Sequence, residues 1–182
     1  MSKFLDFPTV YGKLGNHPGL LTTDQAVALY QQGMKLPPGS SILEYRPDGG
    51  RSTVILAAVA RNLNGRLYAV TDWAVAPPGA QAYFERAFKL HKLEQVAELD
   101  PADLPTAALT VARAAQPWQR LPGRVLVLGD FSQANGHAPA ERGPGWAVFE
   151  HDEAYLAAVA EPVRVDLTTV TGEAEIIDEK AL

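Results

Sequence analysis

Cysteine is absent from this chain of 182 residues. Its absence excludes disulfide bonds, thiolate zinc sites and cysteine nucleophiles, and it agrees with the cytoplasmic location that we expect. Long apolar runs are also missing, since the longest, Val54 to Ala60, has seven residues. A helix that crosses a bilayer needs about 20 apolar residues. The first residues lack the apolar stretch of a secretory signal, so the sequence predicts neither membrane insertion nor export.

Positive charge is scarce as well. Sixteen Lys and Arg residues stand against 21 Asp and Glu residues, which gives a net charge of −5. A protein that holds a phosphate backbone needs a broad cationic surface, so nucleic acid is not expected as a partner. The composition, 47% apolar and 20% charged, is that of an ordinary globular protein, and the length predicts one domain over residues 1–182.

Helical and strand-like segments alternate through the first half of the chain. Thr22 and Gln25 have the spacing of a capping box, which predicts a helix that ends near Lys35. The pattern then predicts a strand, a helix, a strand and a helix at Ser41–Tyr45, Ser52–Leu63, Arg66–Thr71 and Ala80–Leu93. A strand, a helix and a second strand in succession are typical of a parallel sheet.

The second half of the chain is harder to assign. Pro101–Gln119 is compatible with a helix or with a short buried strand. The other segments predict strands at Gln95–Leu99 and Val125–Leu128, a loop at Ser132–Gly145, a helix at Trp146–Ala160 and a hairpin formed by Val163–Thr169 and Glu173–Asp178. The whole pattern predicts an α/β fold whose mostly parallel sheet is flanked by helices and closed by a C-terminal antiparallel hairpin.

A glycine-containing loop, Arg46 to Ser52, joins the first predicted strand to the helix that follows it. The free N–H groups and the positive dipole end at such a helix start favour an anionic ligand. Ligands of open parallel sheets also bind beyond the carboxyl ends of the strands. The loop is equally compatible with a tight turn that only needs Gly49 and Gly50 for its backbone.

The residues around this loop resemble a known family. Glu44 ends the first strand, and Gly50, Arg51, Ser52 and Thr53 begin the next helix. This pattern, the strand that leads to Trp73 and the segment Leu121–Phe131 are similar to the class I S-adenosylmethionine-dependent methyltransferases of the small-molecule type. The resemblance implies a Rossmann-like methyltransferase fold with S-adenosylmethionine as cofactor and a small-molecule substrate.

The same resemblance implies the cofactor-binding residues. Glu44, Gly50 and Ser52 would surround the methionine part of the cofactor, and Asp72 and Trp73 would surround the adenosine. Arg46 and Gly49 are the other expected cofactor-binding residues.

The sequence departs from the family pattern at three places. Arg46 stands where the family has a glycine, so a side chain occupies the approach of the cofactor unless it pairs with the cofactor carboxylate. The family has an acid at the end of the second strand, but that position is Thr71 here, and Asp72 follows one residue later. The family's Asp and His pattern is not recognisable between Gln95 and Gln119, so no metal is expected.

Two further residues are candidates for catalysis. Asp130 follows a predicted buried strand, and His137 lies in the long loop after it. The two side chains could meet above the sheet as a general base pair or as ligands of a divalent cation. Alternatively, Asp130 caps the loop and His137 is solvated.

Three functions therefore remain open. The first is methyl transfer from S-adenosylmethionine to a small molecule, and the second is a related binding or assembly module without turnover. The third is a nucleotide or phosphate binder that uses the same loop. A homo-oligomer, formed through the first helix or the C-terminal hairpin, is a further hypothesis about partners.

Overall fold

The computed structural model describes residues 4–15, 21–47, 49–74, 76–93, 96–99, 105–116, 118–130 and 137–160. Helices in these ranges are α1 (Phe7–Leu14), α2 (Thr23–Met34), α3 (Arg51–Asn62), α4 (Ala80–His91) and α5 (Glu153–Ala160). The strands are β1 (Ser41–Tyr45), β2 (Arg66–Val70), β3 (Val96–Leu99), β4 (Leu109–Arg113), β5 (Gly123–Leu128), β6 (Glu141–Gly143) and β7 (Trp146–His151). A short 3-10 turn, Trp118–Arg120, precedes β5. None of the described helices is long and apolar enough to cross a membrane.

All seven strands form one sheet in the order β3-β2-β1-β4-β5-β7-β6. The first five strands in this order are mutually parallel, and β7 runs antiparallel to both β5 and β6. The α/β architecture with a mostly parallel sheet and a closing antiparallel pair is therefore confirmed. The closing pair, however, is the hairpin β6–β7, while the expected hairpin at 163–178 lies outside the described residues.

The main core lies between one face of the sheet and the first four helices. Ile42, Leu67, Leu109 and Leu126 each point from a strand into it and are completely buried. Helix α3 is buried along nearly its whole length because it packs between the sheet, α1, α2 and α4. A smaller cluster on the opposite face contains Trp118, Val125, Val127 and Phe149. Each large side chain buried here contributes about 1.5–3 kcal/mol of transfer free energy.

Most of the elements predicted in the first half are confirmed. The capping box at α2 forms as expected, since Thr22 and Gln25 exchange side-chain bonds of 3.1 and 3.2 Å with each other's backbone N–H groups. The strand interpretation of Pro101–Gln119 is correct at Leu109–Arg113. Helix α1 is not identified by the sequence analysis; it is only eight residues long and begins after Asp6, whose side chain accepts a bond from Thr9 N at 2.8 Å.

The predicted helix over Trp146–Ala160 is wrong in its first part, where the chain forms β7, and only Glu153–Ala160 is helical. Strand β7 is apolar on both faces, since Ala147 and Phe149 join the smaller cluster while Trp146 and Val148 join the main core. A strand buried on both sides has no alternation to distinguish it from a helix. The loop predicted at Ser132–Gly145 likewise contains β6, and residues 131–136 lie outside the described part.

A polar cluster joins α2 to the antiparallel hairpin. The Glu141 carboxylate accepts bonds from Lys35 Nζ at 2.7 Å, Gln32 Nε2 at 2.7 Å and Arg124 Nη2 at 3.1 Å. The bond from Lys35, followed by that from Gln32, lowers the pKa of Glu141 to about 2. The folded protein therefore stabilises the charged form of Glu141 relative to the unfolded chain.

The shifted pKa predicts an acid-dependent loss of stability. A carboxyl group whose pKa is lower in the folded protein than in the unfolded chain stabilises the fold at pH values above its unfolded pKa of 4.5. This stabilisation is lost as the pH falls toward 2. We expect Glu141→Gln to lower the free energy of unfolding at pH 7 by at most about 1 kcal/mol, because the side chain is more than a third exposed. Urea unfolding of both proteins between pH 7 and pH 2.5 should show this difference shrinking below pH 4.5; a constant difference would contradict the assignment.

Candidate functional site

A buried carboxylate holds the bend between β1 and α3. Glu44, only 3% exposed, is the fourth residue of β1, and its side chain points toward the first turn of α3. Its two oxygens accept hydrogen bonds from the hydroxyls of Ser52 and Thr53, the latter at 2.6 Å. Because a buried carboxylate needs such donors, these contacts fix the start of α3 to the carboxyl end of β1.

Gly50 is required by both backbone and packing. It precedes α3 with a φ of +80°, a conformation that side chains disfavour. A Cβ added there would lie 2.9 Å from Cβ of Ala87 and 3.4 Å from Cα of Phe84. Helix α4 therefore packs directly against the bend at Gly50.

A cavity of about 330 Å³ opens beside the bend. It lies beyond the carboxyl ends of β1, β2 and β4, and the sheet order reverses between β1 and β4. Crevices at this kind of reversal are the usual ligand sites of open α/β sheets. The residues that line it are Arg46, Pro47, Thr71, Asp72, Trp73, Ala76, Pro77, Arg113, Ala115 and Gln116.

Arg46 and Asp72 form an ion pair on the wall of the cavity. Nη2 of Arg46 donates to Oδ2 of Asp72 at 3.0 Å, and the guanidinium lies 5.3 Å from the ring centre of Tyr45. Arg46 has a φ of +53°, so a large residue adopts the left-handed conformation at the position where the resemblance expects glycine. Its backbone N–H also donates to the carbonyl of Val70 at 2.8 Å, which ties the bend to the end of β2.

Gln116 joins the two sides of the cavity and was missed by the sequence analysis. Its Nε2 donates to the carbonyl of Arg46 at 3.2 Å, and its Oε1 accepts from the N–H of Arg113 at 2.8 Å. A single glutamine in a segment of ambiguous structure gives no signal of this role. The contact sets the spacing between the ends of β1 and β4.

The structure separates the predicted cofactor residues into two groups. Arg46, Asp72 and Trp73 line the cavity, and the Trp73 ring also packs 5.3 Å from that of Phe84. Glu44, Gly49, Gly50 and Ser52 are buried and are not part of the lining, so any direct contact between them and a cofactor stays a prediction.

The one-residue displacement of Asp72 has a simple structural reason. Strand β2 ends at Val70, so Thr71 and Asp72 both follow the strand, and both line the cavity. Beyond the end of a strand, side chains no longer alternate between the two faces of a sheet.

Asp130 and His137 are not brought together. Asp130 is exposed just past the carboxyl end of β5. The His137 ring lies 5.4 Å from that of His151, which pairs with Gly123 at the opposite end of β5. The six residues of β5 span about 16 Å, so these side chains do not form the expected general base pair or shared cation site.

His137 instead belongs to a group of packed rings. It lies 4.2 Å from the ring of Tyr155, and the ring of His151 lies 4.4 Å from the same tyrosine. His151 is nearly inaccessible and its Nδ1 lies 2.7 Å from the carbonyl of Leu121; burial lowers the pKa of His151 despite that bond. In the described residues, no three side chains of the His, Asp or Glu type converge on a metal position.

The cavity lining fits an S-adenosyl nucleoside. Asp72 offers acceptors for hydroxyl groups, Trp73 offers an aromatic surface, and the guanidinium group of Arg46 offers donors for an anion. The volume is within the range of about 300–1,000 Å³ found for small-molecule sites. The feature that does not match the expected arrangement is the Arg46–Asp72 ion pair, which engages the acid that would receive the ribose.

The packing at the bend predicts the effect of an added methyl group. We expect Gly50→Ala to lower the free energy of unfolding by about 2–4 kcal/mol, because a left-handed alanine is strained and its Cβ would overlap α4. Gly39→Ala is the matched control, since Gly39 has a φ of +82° and open space around it. Denaturant unfolding should show a loss of only about 1–2 kcal/mol for Gly39→Ala; equal losses would contradict the close contact with Ala87.

Comparison with known proteins gives structural likeness only. No family model matches the chain, and none of the curated proteins matches it by sequence. The structure is similar to TrmN from Thermus thermophilus, with a TM-score of 0.53 and 19% identity over 80% of this chain. It is also similar to a SAM-dependent O-methyltransferase from Thermotoga maritima, with a TM-score of 0.51 and 13% identity over 71% of this chain.

The likeness concerns part of each of these proteins. The chain covers 52% of the length of TrmN and 52% of the Thermotoga maritima enzyme. At such low identity the comparison concerns the fold alone. The chain has the Rossmann-like fold of the class I SAM-dependent methyltransferases.

Proposed function

We propose that this protein transfers a methyl group from S-adenosylmethionine to a small-molecule acceptor. The observation that carries the proposal is the cavity across the ends of β1, β2 and β4, because it combines the usual ligand position of this fold with an acid, an aromatic ring and the guanidinium group of Arg46. The fold comparison supports the same cofactor, since one of the similar structures is a SAM-dependent O-methyltransferase.

Residues after β2 would hold the nucleoside. The Asp72 carboxylate would accept hydrogen bonds from the ribose hydroxyls, and the Trp73 ring would pack against the adenine. Both residues line the cavity, and Trp73 is held in place by Phe84 of α4. Glu44 and Ser52 would act indirectly, since their hydrogen bond fixes the bend that carries Arg46.

When bound, S-adenosylmethionine supplies a methyl group on a positively charged sulfur. The chain itself has to orient the acceptor, which is the main source of rate acceleration in a transfer between two bound molecules. Asp130 follows β5 at the same edge of the sheet as the cavity. We assign it to the acceptor side, where its carboxylate would orient an acceptor hydroxyl or take its proton.

The net charge of the protein and the few cations at the cavity favour a small methyl acceptor over a polyanion. A net charge of −5 disfavours a long polyanion, and the described residues around the cavity offer few cations beyond Arg46 and Arg113. A small molecule is therefore the proposed acceptor. His137 has no part in this proposal, because its ring packs with His151 and Tyr155 at the other end of β5.

Calorimetric titration with S-adenosylhomocysteine tests the proposal. We expect micromolar binding to the wild-type protein and at least tenfold weaker binding to Asp72→Asn, since a hydrogen bond to a charged group contributes about 1.5–3 kcal/mol. Glu150→Gln is the control, because this acid on β7 pairs with Arg124 at the amino end of β5. No binding to the wild-type protein would contradict the proposed function, whereas equal binding to the wild-type protein and to Asp72→Asn would contradict the assignment of the ribose to Asp72.

A further inference from the structure

Asp72 accepts only one of the hydrogen bonds that the Arg46 guanidinium can donate. The guanidinium has donors on three nitrogens, yet the bond to Asp72 uses Nη2 alone. Its Nε is shielded from solvent and has no acceptor among the residues that the structure describes. A shielded donor without an acceptor is unfavourable, and guanidinium groups bind carboxylates best through two parallel N–H bonds.

Asp72 has a second use in the proposed function. If it accepts bonds from both ribose hydroxyls, Oδ2 has to serve the ribose as well as Arg46. The two side chains are 32% and 25% exposed, so their ion pair lies at the cavity wall and can be reached by a ligand. A ligand that took Asp72 and offered nothing in return would leave Arg46 without its counter-ion, which is costly in a partly buried site.

We propose that Arg46 exchanges partners when the cofactor binds. It leaves Asp72 and binds the carboxylate at the amino-acid end of the S-adenosyl ligand, and Asp72 then receives the ribose hydroxyls. This inference rests on the proposed function and adds the residue that determines specificity: the site selects adenosine ligands that carry a carboxylate over those that lack one.

The local structure supports the exchange. The left-handed backbone of Arg46 is held by Val70 and Gln116, so the side chain can change partner while the main chain stays in place. The ring of Tyr45 supports the guanidinium independently of Asp72. The ligand carboxylate would replace Asp72 as the counter-ion of Arg46, and the ribose hydroxyls would replace Arg46 as hydrogen-bond donors to Asp72, so neither side chain is left without a partner.

Two ligands that differ at one end test the exchange. S-Adenosylhomocysteine has the amino-acid carboxylate, whereas 5′-methylthioadenosine lacks it. We expect Arg46→Gln to bind S-adenosylhomocysteine about ten to a hundred times more weakly than the wild-type protein does. The same variant should bind 5′-methylthioadenosine at least as tightly as the wild-type protein, because Asp72 is already released.

Two further variants keep the result interpretable. Glycine adopts a φ of +53° without strain, so Arg46→Gly should fold well. Like Arg46→Gln, it should bind S-adenosylhomocysteine more weakly than the wild-type protein does and 5′-methylthioadenosine at least as tightly. Arg66→Gln removes one arginine at the amino end of β2, away from the cavity, and should bind both ligands as the wild-type protein does.

The outcomes separate this inference from the proposed function. Tight binding of S-adenosylhomocysteine to the wild-type protein with no loss in Arg46→Gln would overturn the exchange and leave the function standing. Equal weakening of both ligands in Arg46→Gln would also overturn it, because the effect would not depend on the carboxylate. Failure of both ligands to bind the wild-type protein would overturn the function and the exchange together.

Discussion

The hydrogen bonds from Ser52 and Thr53 to the buried carboxylate of Glu44 are the constraint on which the site depends. They hold the first turn of α3 against the end of β1, where a carboxylate without donors would be too costly to bury. The bend that results carries Arg46 to the end of β2 and presses Gly50 against α4. The cavity wall is thus positioned by residues that do not line it.

The bend and the cavity wall therefore have different tasks. The acid, glycine and hydroxyl residues at the start of α3 serve packing and backbone geometry. The groups available to a ligand come from Arg46 and from the segments after β2 and β4. An arginine in place of glycine at the bend does not close the cavity, because its side chain turns to Asp72 on the wall.

Sequence reasoning could predict the parts that depend on local patterns. The capping box of α2, the apolar strands and the helix start after Gly50 are local signals, and the alternation of elements predicts the parallel sheet. It could not identify β7, because a strand buried on both faces lacks alternation. The bond from Gln116 to Arg46 and the separation of Asp130 from His137 depend on register between distant strands, which no local pattern contains.

A crystal structure of the protein with S-adenosylhomocysteine would show whether the cofactor occupies the cavity beside the bend. We expect density for the nucleoside beyond the ends of β1, β2 and β4, with its ribose at Asp72 and its adenine against Trp73. A ligand bound elsewhere on the protein, or a cavity that stays empty at saturating ligand, would contradict it.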